Sequence, residues 1–285
     1  MSFSVMTIVR GRRNHLWNQG RSITESHRKP DQWIIVGMNQ DVDPPSIPGV
    51  EVVIDRVDGD GERLPLAEAR NRAADRCSTE TMVFLDVDCI ASPTLFPTMV
   101  DTVQQAGGLW MGDVRYLPKG ATTDHWTMND LMPLSVRHPL QPKLITNRQP
   151  SQDYHLFWSL CFGISRYDFE TIGGFDTGYE GYGGEDTDFA FTARRAGVPF
   201  GFVAAVAYHQ HHPVCKPPLN HFSQIVSNAE RFRRKWNVWP MESWLDAFAQ
   251  RDLIRFDPGS DQIDVLRCPS KHEVAAAVID SPAGF

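Results

Sequence analysis

No stretch of this chain approaches the ~20 consecutive apolar residues that a membrane-spanning helix needs. There is no long basic run to offset a net charge of −7, so a nucleic-acid partner is not expected. Cysteine is sparse and odd in number: the five present include no Cys-x-x-Cys spacing, which points to reduced thiols rather than a disulfide framework. Internal repeats, low-complexity tracts and a signal-peptide pattern are all missing, and strand-like sequence begins almost at the first residue. These absences lead to the expectation of a cytoplasmic protein, at most peripheral to the inner face of the membrane. The 285 residues, 41% hydrophobic and 22% charged, suit one large α/β domain with an appendage.

What is present centres on Thr81-Met82-Val83-Phe84-Leu85-Asp86-Val87-Asp88-Cys89. An apolar run ending in two carboxylates reads as a strand buried on both faces of a parallel sheet. Ligands bind beyond the carboxyl ends of such strands, so Asp86 and Asp88 are expected to emerge there side by side. Two carboxylates so close repel unless a cation lies between them, and a hard divalent metal holding a phosphate is the natural one. Further strands are expected at 4–9, 33–37, 50–54, 109–112, 159–165 and 200–208, with helices at about 14–26, 66–74 and 93–106. Strands alternating with helices imply a doubly wound sheet. The segment 115–154, rich in Pro, Thr and His, shows no clear period and reads as a lid or binding loop. The tail from about Pro217 carries apolar residues at helical spacing. The expected division is a catalytic domain over 1–214 and a helical extension over 215–285 packed on it.

A second acidic motif lies at Gly183-Gly184-Glu185-Asp186, after the aromatic, Gly-rich approach Tyr179-Glu180-Gly181-Tyr182. Glu185, Asp186 and Asp188 fall in the first turn of a helix, where the macrodipole alone favours acidic residues. Capping does not explain the loop before them, which suits delivery of carboxylates into a cleft, one acting as a general base on a hydroxyl. The last clear strand ends at Tyr208-His209-Gln210-His211-His212. Imidazole with carboxylate suits a Mn²⁺-type site. His209, nearest the strand, is the first choice, and His211 is the alternative because residues two apart on a strand point the same way.

Together these motifs resemble the metal-dependent GT-A glycosyltransferases, especially family 2 and galactosyltransferase-like members, over roughly Ser4 to His212. Asp86-Val87-Asp88 looks like their Asp-x-Asp motif, and Gly183-Gly184-Glu185-Asp186 is similar to the Gly-Gly-Glu-Asp loop of β-1,4-galactosyltransferases and chondroitin-polymerase-like enzymes. The resemblance implies a Rossmann-like, mostly parallel central sheet flanked by helices, and transfer of a sugar from a nucleotide diphosphate sugar, expected to be a UDP-sugar, to a hydroxyl of a glycan or small acceptor with inversion. It implies Mn²⁺ or Mg²⁺ on Asp88 and His209, with Asp86 and His211 as lesser candidates, and Asp186 as catalytic base. Glu185, Tyr182 and Trp158 are expected on the acceptor side. Thr7, Val9, Arg10, Asn39, Arg70, Asp86, Val87 and Asp88 are expected to hold the nucleotide sugar. The second strand ends in Asn39 where adjacent aspartates are usual, and the Gln-x-x-Arg-Trp signature of processive synthases is missing. A nucleotidyltransferase and a non-catalytic sugar-binding module are the alternatives from other classes; the first should carry a Gly-rich phosphate loop after its first strand, and Arg10-Gly11-Arg12-Arg13 has one glycine.

Overall fold

The computed structural model describes residues 2–61, 63–122 and 125–280. The chain opens with β1 (Phe3–Val9), α1 (Arg13–Thr24), β2 (Gln32–Met38), β3 (Glu51–Val57), α2 (Leu66–Arg76) and β4 (Thr81–Leu85). It continues through β5 (Cys89–Ala91), α3 (Leu95–Ala106), β6 (Leu109–Tyr116), α4 (Met128–Leu134), β7 (Val136–Arg137), β8 (Arg148–Ser151) and β9 (Cys161–Ser165). Then come α5 (Arg166–Ile172), α6 (Glu185–Arg195), β10 (Phe200–His209), β11 (Val214–Cys215), α7 (Phe222–Trp236) and α8 (Glu242–Ala249).

One sheet organises all of this, in the order β3-β2-β1-β4-β9-β6-β10-β5. Strands β1, β2, β3 and β4 pair in parallel; β9 runs against both β4 and β6, and β6 pairs in parallel with β10. The carboxyl ends of β1, β2, β4, β6 and β10 therefore share one edge. Every residue of β1, β2 and β4 is buried, which is why their sequences are continuous apolar runs rather than alternating ones. β3, at the sheet's end, instead exposes Glu51 and Arg56, charges that discourage pairing with another chain.

Helices cover both faces. Leu16, Ile23, Leu95, Phe96, Met99 and Val103 from α1 and α3 pack on one side, against Val5, Trp33, Val83 and Leu85. On the other side α2, α5 and α6 pack Ala69, Ala73, Phe169, Ile172 and Phe189 onto Met6, Phe84 and Phe162. Phe175 stacks on Phe189 with centroids 4.2 Å apart, and Phe84 on Phe162 at 4.5 Å. That aromatic stack fixes α6, and with it the acidic residues of its first turn, relative to β4. Losing a buried ring of this kind typically costs about 3–5 kcal/mol.

The segment 115–154 is not the structureless loop its composition suggests. A Thr127–Asp130 capping box starts α4, Leu131 and Trp126 pack with Ile90, Leu117 and Tyr208, and β8 pairs antiparallel with β10. Its elements are too short, and too often interrupted by Pro, to set up a period. Beyond β10 the chain builds a separate apolar cluster around Phe222, Ile225, Ala229, Leu245 and Phe248. This tail is helical in α7 and α8 but also holds two small ribbons, one joining Val214–Cys215 to Val278–Ile279, so a boundary drawn at 214/215 divides β11. No described helix is long and apolar enough to cross a membrane.

Candidate active site

Asp86 and Asp88 leave β4 through a tight turn in which the Cys89 amide donates to the Asp86 carbonyl at 2.8 Å. Further backbone bonds tie the turn to its neighbours. The Asp86 amide donates to the Leu160 carbonyl at 2.9 Å, and the Asp88 carbonyl accepts from the Gln210 amide at 2.6 Å. Gln19 of α1, wholly buried, sends Nε2 to the carbonyls of Asp86 at 2.8 Å and Cys89 at 3.0 Å. Its own Oε1 accepts from the Thr7 hydroxyl at 2.8 Å. A buried carbonyl must be satisfied, so Gln19 pins the turn to the end of β1.

Contrary to the expectation from their spacing, the two carboxylates do not point at a common cation. Asp88 turns toward α1: His15 Nδ1 is 2.5 Å and Arg12 Nε 3.3 Å from Oδ1, while His212 Nε2 is 3.5 Å from Oδ2. Burial works to raise the Asp88 pKa, but the His15 hydrogen bond and the charges of His209, Arg12 and His212 outweigh it, holding the carboxyl well below the usual range. Asp86 turns toward α2, where Arg70 Nη2 lies 3.5 Å away, and burial lifts its pKa to about 6 against the pull of Arg70.

One ligand atom each from Asp88, His209 and His212 lies within 4.8 Å of the others. His211, the alternative to His209, does not join them and pairs instead with Asp280 at 3.5 Å. The reason is backbone: β10 stops at His209, so the alternation that would align residues two apart ends there, and His212 folds back with its ring centroid 5.2 Å from that of His209. The set suits a divalent metal of Mn²⁺ type. His209 Nδ1 is buried with no hydrogen-bond partner, and burial lowers the His209 pKa to about 4, keeping the imidazole neutral as a ligand must be. Tyr116, at the end of β6, stacks on His209 at 4.8 Å.

Across the sheet edge, Gly183 and Gly184 take φ of 98° and 91°, a left-handed backbone that suits glycine, and bring Glu185 onto Arg70 at 3.2 Å. Arg70 is buried between Glu185 and Asp86, with its Nε and the Glu185 Oε2 left without partners. Burial first, then the neighbouring Asp186, raises Glu185 to about 7, with Arg70 opposing; burial likewise raises Asp186. Asp186 Oδ1 accepts from the Thr187 amide at 2.7 Å. Asp188 is fully occupied elsewhere, accepting from Tyr179, Trp236 and Lys235 at 3.0, 2.7 and 2.8 Å. Tyr182 is 38% exposed and stacks on His221 at 4.7 Å and Trp244 at 5.9 Å. Burial, then the charges of Glu185, Asp186 and Asp86, raise its pKa. Trp158 meets His138 edge-on at 4.9 Å.

The remaining expected residues fall into two groups. Thr7 and Val9 are buried, and the Thr7 hydroxyl is taken up by Gln19 and Trp33, so only the backbone at the end of β1 can face a ligand. Val87 is buried in the turn, Arg10 is exposed, and Asn39 adopts φ 52° with its Oδ1 accepting from the Gly59 amide at 2.6 Å. Sequence reading missed Arg12, His15, Gln19, Gln210 and His212 as site residues. Only His212 carried a local signal, as part of a His-rich run; the others are joined to the turn by contacts spanning about 70 residues or, for Gln210, 123.

The family described as "Glycosyltransferase like family 2" matches residues 52–224, a span holding Asp86, Asp88, Glu185, Asp186, His209 and His212. Validoxylamine A glucosyltransferase of Streptomyces hygroscopicus subsp. jinggangensis (strain 5008) is 30% identical over 145 residues, covering 44% of this chain and 34% of that protein. The chain thus spans about a third (34%) of the length of this relative. In fold it is similar to S. aureus TarS 1-349 solved with UDP-GlcNAc (TM-score 0.56, 11% identity, 82% of this chain and 67% of that one). It is also similar to GalNAc-T7 solved with UDP, GalNAc and Mn²⁺ (TM-score 0.53, 16% identity, 88% and 57%). With a mixed, mostly parallel sheet of the GT-A kind and a match over more than half its length, this chain belongs to the family 2-like glycosyltransferases.

Proposed function

We propose that the chain transfers a sugar from a UDP-sugar to an acceptor hydroxyl, with Asp186 as the base and inversion at the anomeric carbon. The observation that carries this reading is the convergence of Asp88, His209 and His212 at the same sheet edge as the Arg70–Glu185–Asp186 cluster. Asp88, His209 and His212 would hold Mn²⁺, or Mg²⁺ in its place, and the bound ion would supply positive charge to offset that growing on the leaving diphosphate. His15 and Arg12 keep Asp88 ionised and oriented for that task. The raised pKa of Asp186 makes it a better proton acceptor than a solvated aspartate. Glu185, with one oxygen unpartnered, is placed to accept a hydrogen bond from the acceptor, and the exposed part of the Tyr182 ring suits contact with a sugar. Asp86, Arg70 and the backbone at the end of β1 form the donor's side of the cleft. The division into a catalytic domain over 1–214 and a supporting extension over 215–285 is part of the same reading.

Calorimetry with UDP, UDP-sugars and other sugar nucleotides, with and without Mn²⁺, tests the donor and the metal together. Saturable, Mn²⁺-dependent heat with a UDP-sugar is expected; none with any sugar nucleotide would overturn the reading. The anomeric configuration of the product, read by NMR, tests inversion.

A further inference from the structure

A second charged site lies off the cleft, between β6 and β7. Arg115 and Arg137 are directly opposed in the antiparallel β6–β7 pair, so both side chains project from one face. Like charges in that relation repel unless an anion lies between them. Asp113, two residues before Arg115 and buried in β6, supplies one: Arg137 donates to it from Nε at 2.8 Å and Nη2 at 2.5 Å, and Arg115 from Nη2 at 3.0 Å. Among the described residues Asp113 is the sole carboxylate in ion-pair contact with either arginine, so two guanidinium charges share one counter-charge. An open cavity of ≈ 280 Å³ adjoins them, lined by Arg115, Ser135 and Arg137.

We propose that this cavity is a subsite for a phosphoryl group carried by the acceptor. Asp113 takes the Nε–Nη2 edge of both guanidinium groups and so holds their planes in place before any ligand arrives, which leaves their remaining N–H groups to meet phosphate oxygens. Ser135 stands at the rim with its hydroxyl donating to the Met132 carbonyl at 2.8 Å, a bond it would exchange for one to a phosphate oxygen. The site opens to solvent, so the group that bears the phosphate can extend outward from it. Its place in the fold assigns it to the acceptor rather than the donor. Arg115 and Asp113 lie on the same face of β6 as Met111, the face covered by α6, whereas the neighbouring Tyr116 belongs to the face with the Asp88 pocket. His138, the residue after Arg137, meets Trp158 on that side. The word acceptor rests on the sugar-transfer reading; the binding of phosphate does not.

Calorimetry on the full chain tests it, with inorganic phosphate and glycerol 3-phosphate as probes and chloride and glycerol as matched controls. Both phosphates should bind, and Arg137→Gln and Ser135→Ala should weaken them, the arginine change by about tenfold. Binding of UDP with Mn²⁺ should not change in either variant. Tighter binding of the ester than of inorganic phosphate marks an esterified ligand as the source, and equal binding marks the free anion; both pass through the same fork. If Arg137→Gln melts early, Arg137→Lys keeps the charge while forfeiting the planar fork and takes its place. Absence of saturable phosphate binding in the wild type, or unchanged affinity in both the arginine and serine variants, overturns the subsite and leaves Arg115 and Arg137 as braces for β7. Phosphate binding without any UDP binding would keep the subsite and remove the transfer reading.

Discussion

Two carboxylates two residues apart on one turn sit in opposite electrostatic surroundings. Asp88 faces Arg12, His15, His209 and His212, a pocket of donors that holds it ionised. Asp86 shares a single arginine with Glu185 and has Asp186 close by, so burial and mutual repulsion lift these carboxylates, Asp86 to about 6 and Glu185 to about 7. The difference teaches how a short strand end can serve two chemistries. A fixed negative charge is available for a cation on one side, and proton-accepting carboxylates on the other, with Gln19 holding the turn between them.

The sharpest way to break this comparison is Asp186→Asn. Turnover should fall by roughly 10²–10⁴ in single-turnover measurements while donor binding stays near normal, since Asn keeps the shape but cannot take the proton. A fully active variant would move the base to Glu185, because Asp188 is already committed to Lys235, Tyr179 and Trp236. On the other side, His209→Ala removes a proposed metal ligand and His15→Ala removes the hydrogen-bond partner of Asp88. Calorimetric titration should show Mn²⁺ affinity reduced by about 10–100-fold for His15→Ala, as for outer-shell partners generally, and by more for His209→Ala. Equal affinity in wild type and both variants would dissolve the metal half of the comparison.

Gln19→Ala strikes the turn itself. It takes one donor from each of the Asp86 and Cys89 carbonyls and the acceptor from the buried Thr7 hydroxyl, and urea unfolding should show a loss of about 1–3 kcal/mol. The smallest effect expected is in the pH dependence of stability. Between about pH 4 and 7 the folded protein keeps protons on Asp86 and Glu185 that the unfolded chain has released. Their contribution is therefore complete at low pH and is lost as pH rises through 6 to 7. Asp88 runs the other way, its contribution present at neutral pH and lost as pH falls below about 4. Glu185→Gln should therefore melt higher than wild type at pH 8, with the gap closing toward pH 5. A gap that widens at acid pH would reverse the assigned environment of Glu185.

The framework was legible because its signals are local. β1, β2, β4 and β10 are runs of apolar residues whose boundaries need no partner to be seen, and a strand running into Asp86-Val87-Asp88 announces an edge. The split of Asp86 from Asp88 was not legible. It depends on which helix each side chain meets, and those helices are distant in sequence. His15 and Gln19 sit on a helix whose pattern shows only that Leu16 and Ile23 face the core. The segment from Arg115 to Tyr154 defeated periodicity for another reason: its order comes from one capping box, one buried tryptophan and a strand of four residues.

The Gly-rich loop before Glu185 is held by α7. Gln224 accepts from the Tyr182 amide at 2.8 Å, and Asn228 donates to the carbonyls of Glu180 at 3.1 Å and Tyr182 at 3.4 Å. Lys235 and Trp236 meanwhile take the charge of Asp188. These partners lie 42 to 48 residues further along the chain. On a ribosome, which releases the chain from its amino end, every residue of the Asp88 pocket is made before the first of them. The nascent protein thus contains every residue around Asp88 while the Gly-rich loop before Glu185 still lacks the side chains that hold it.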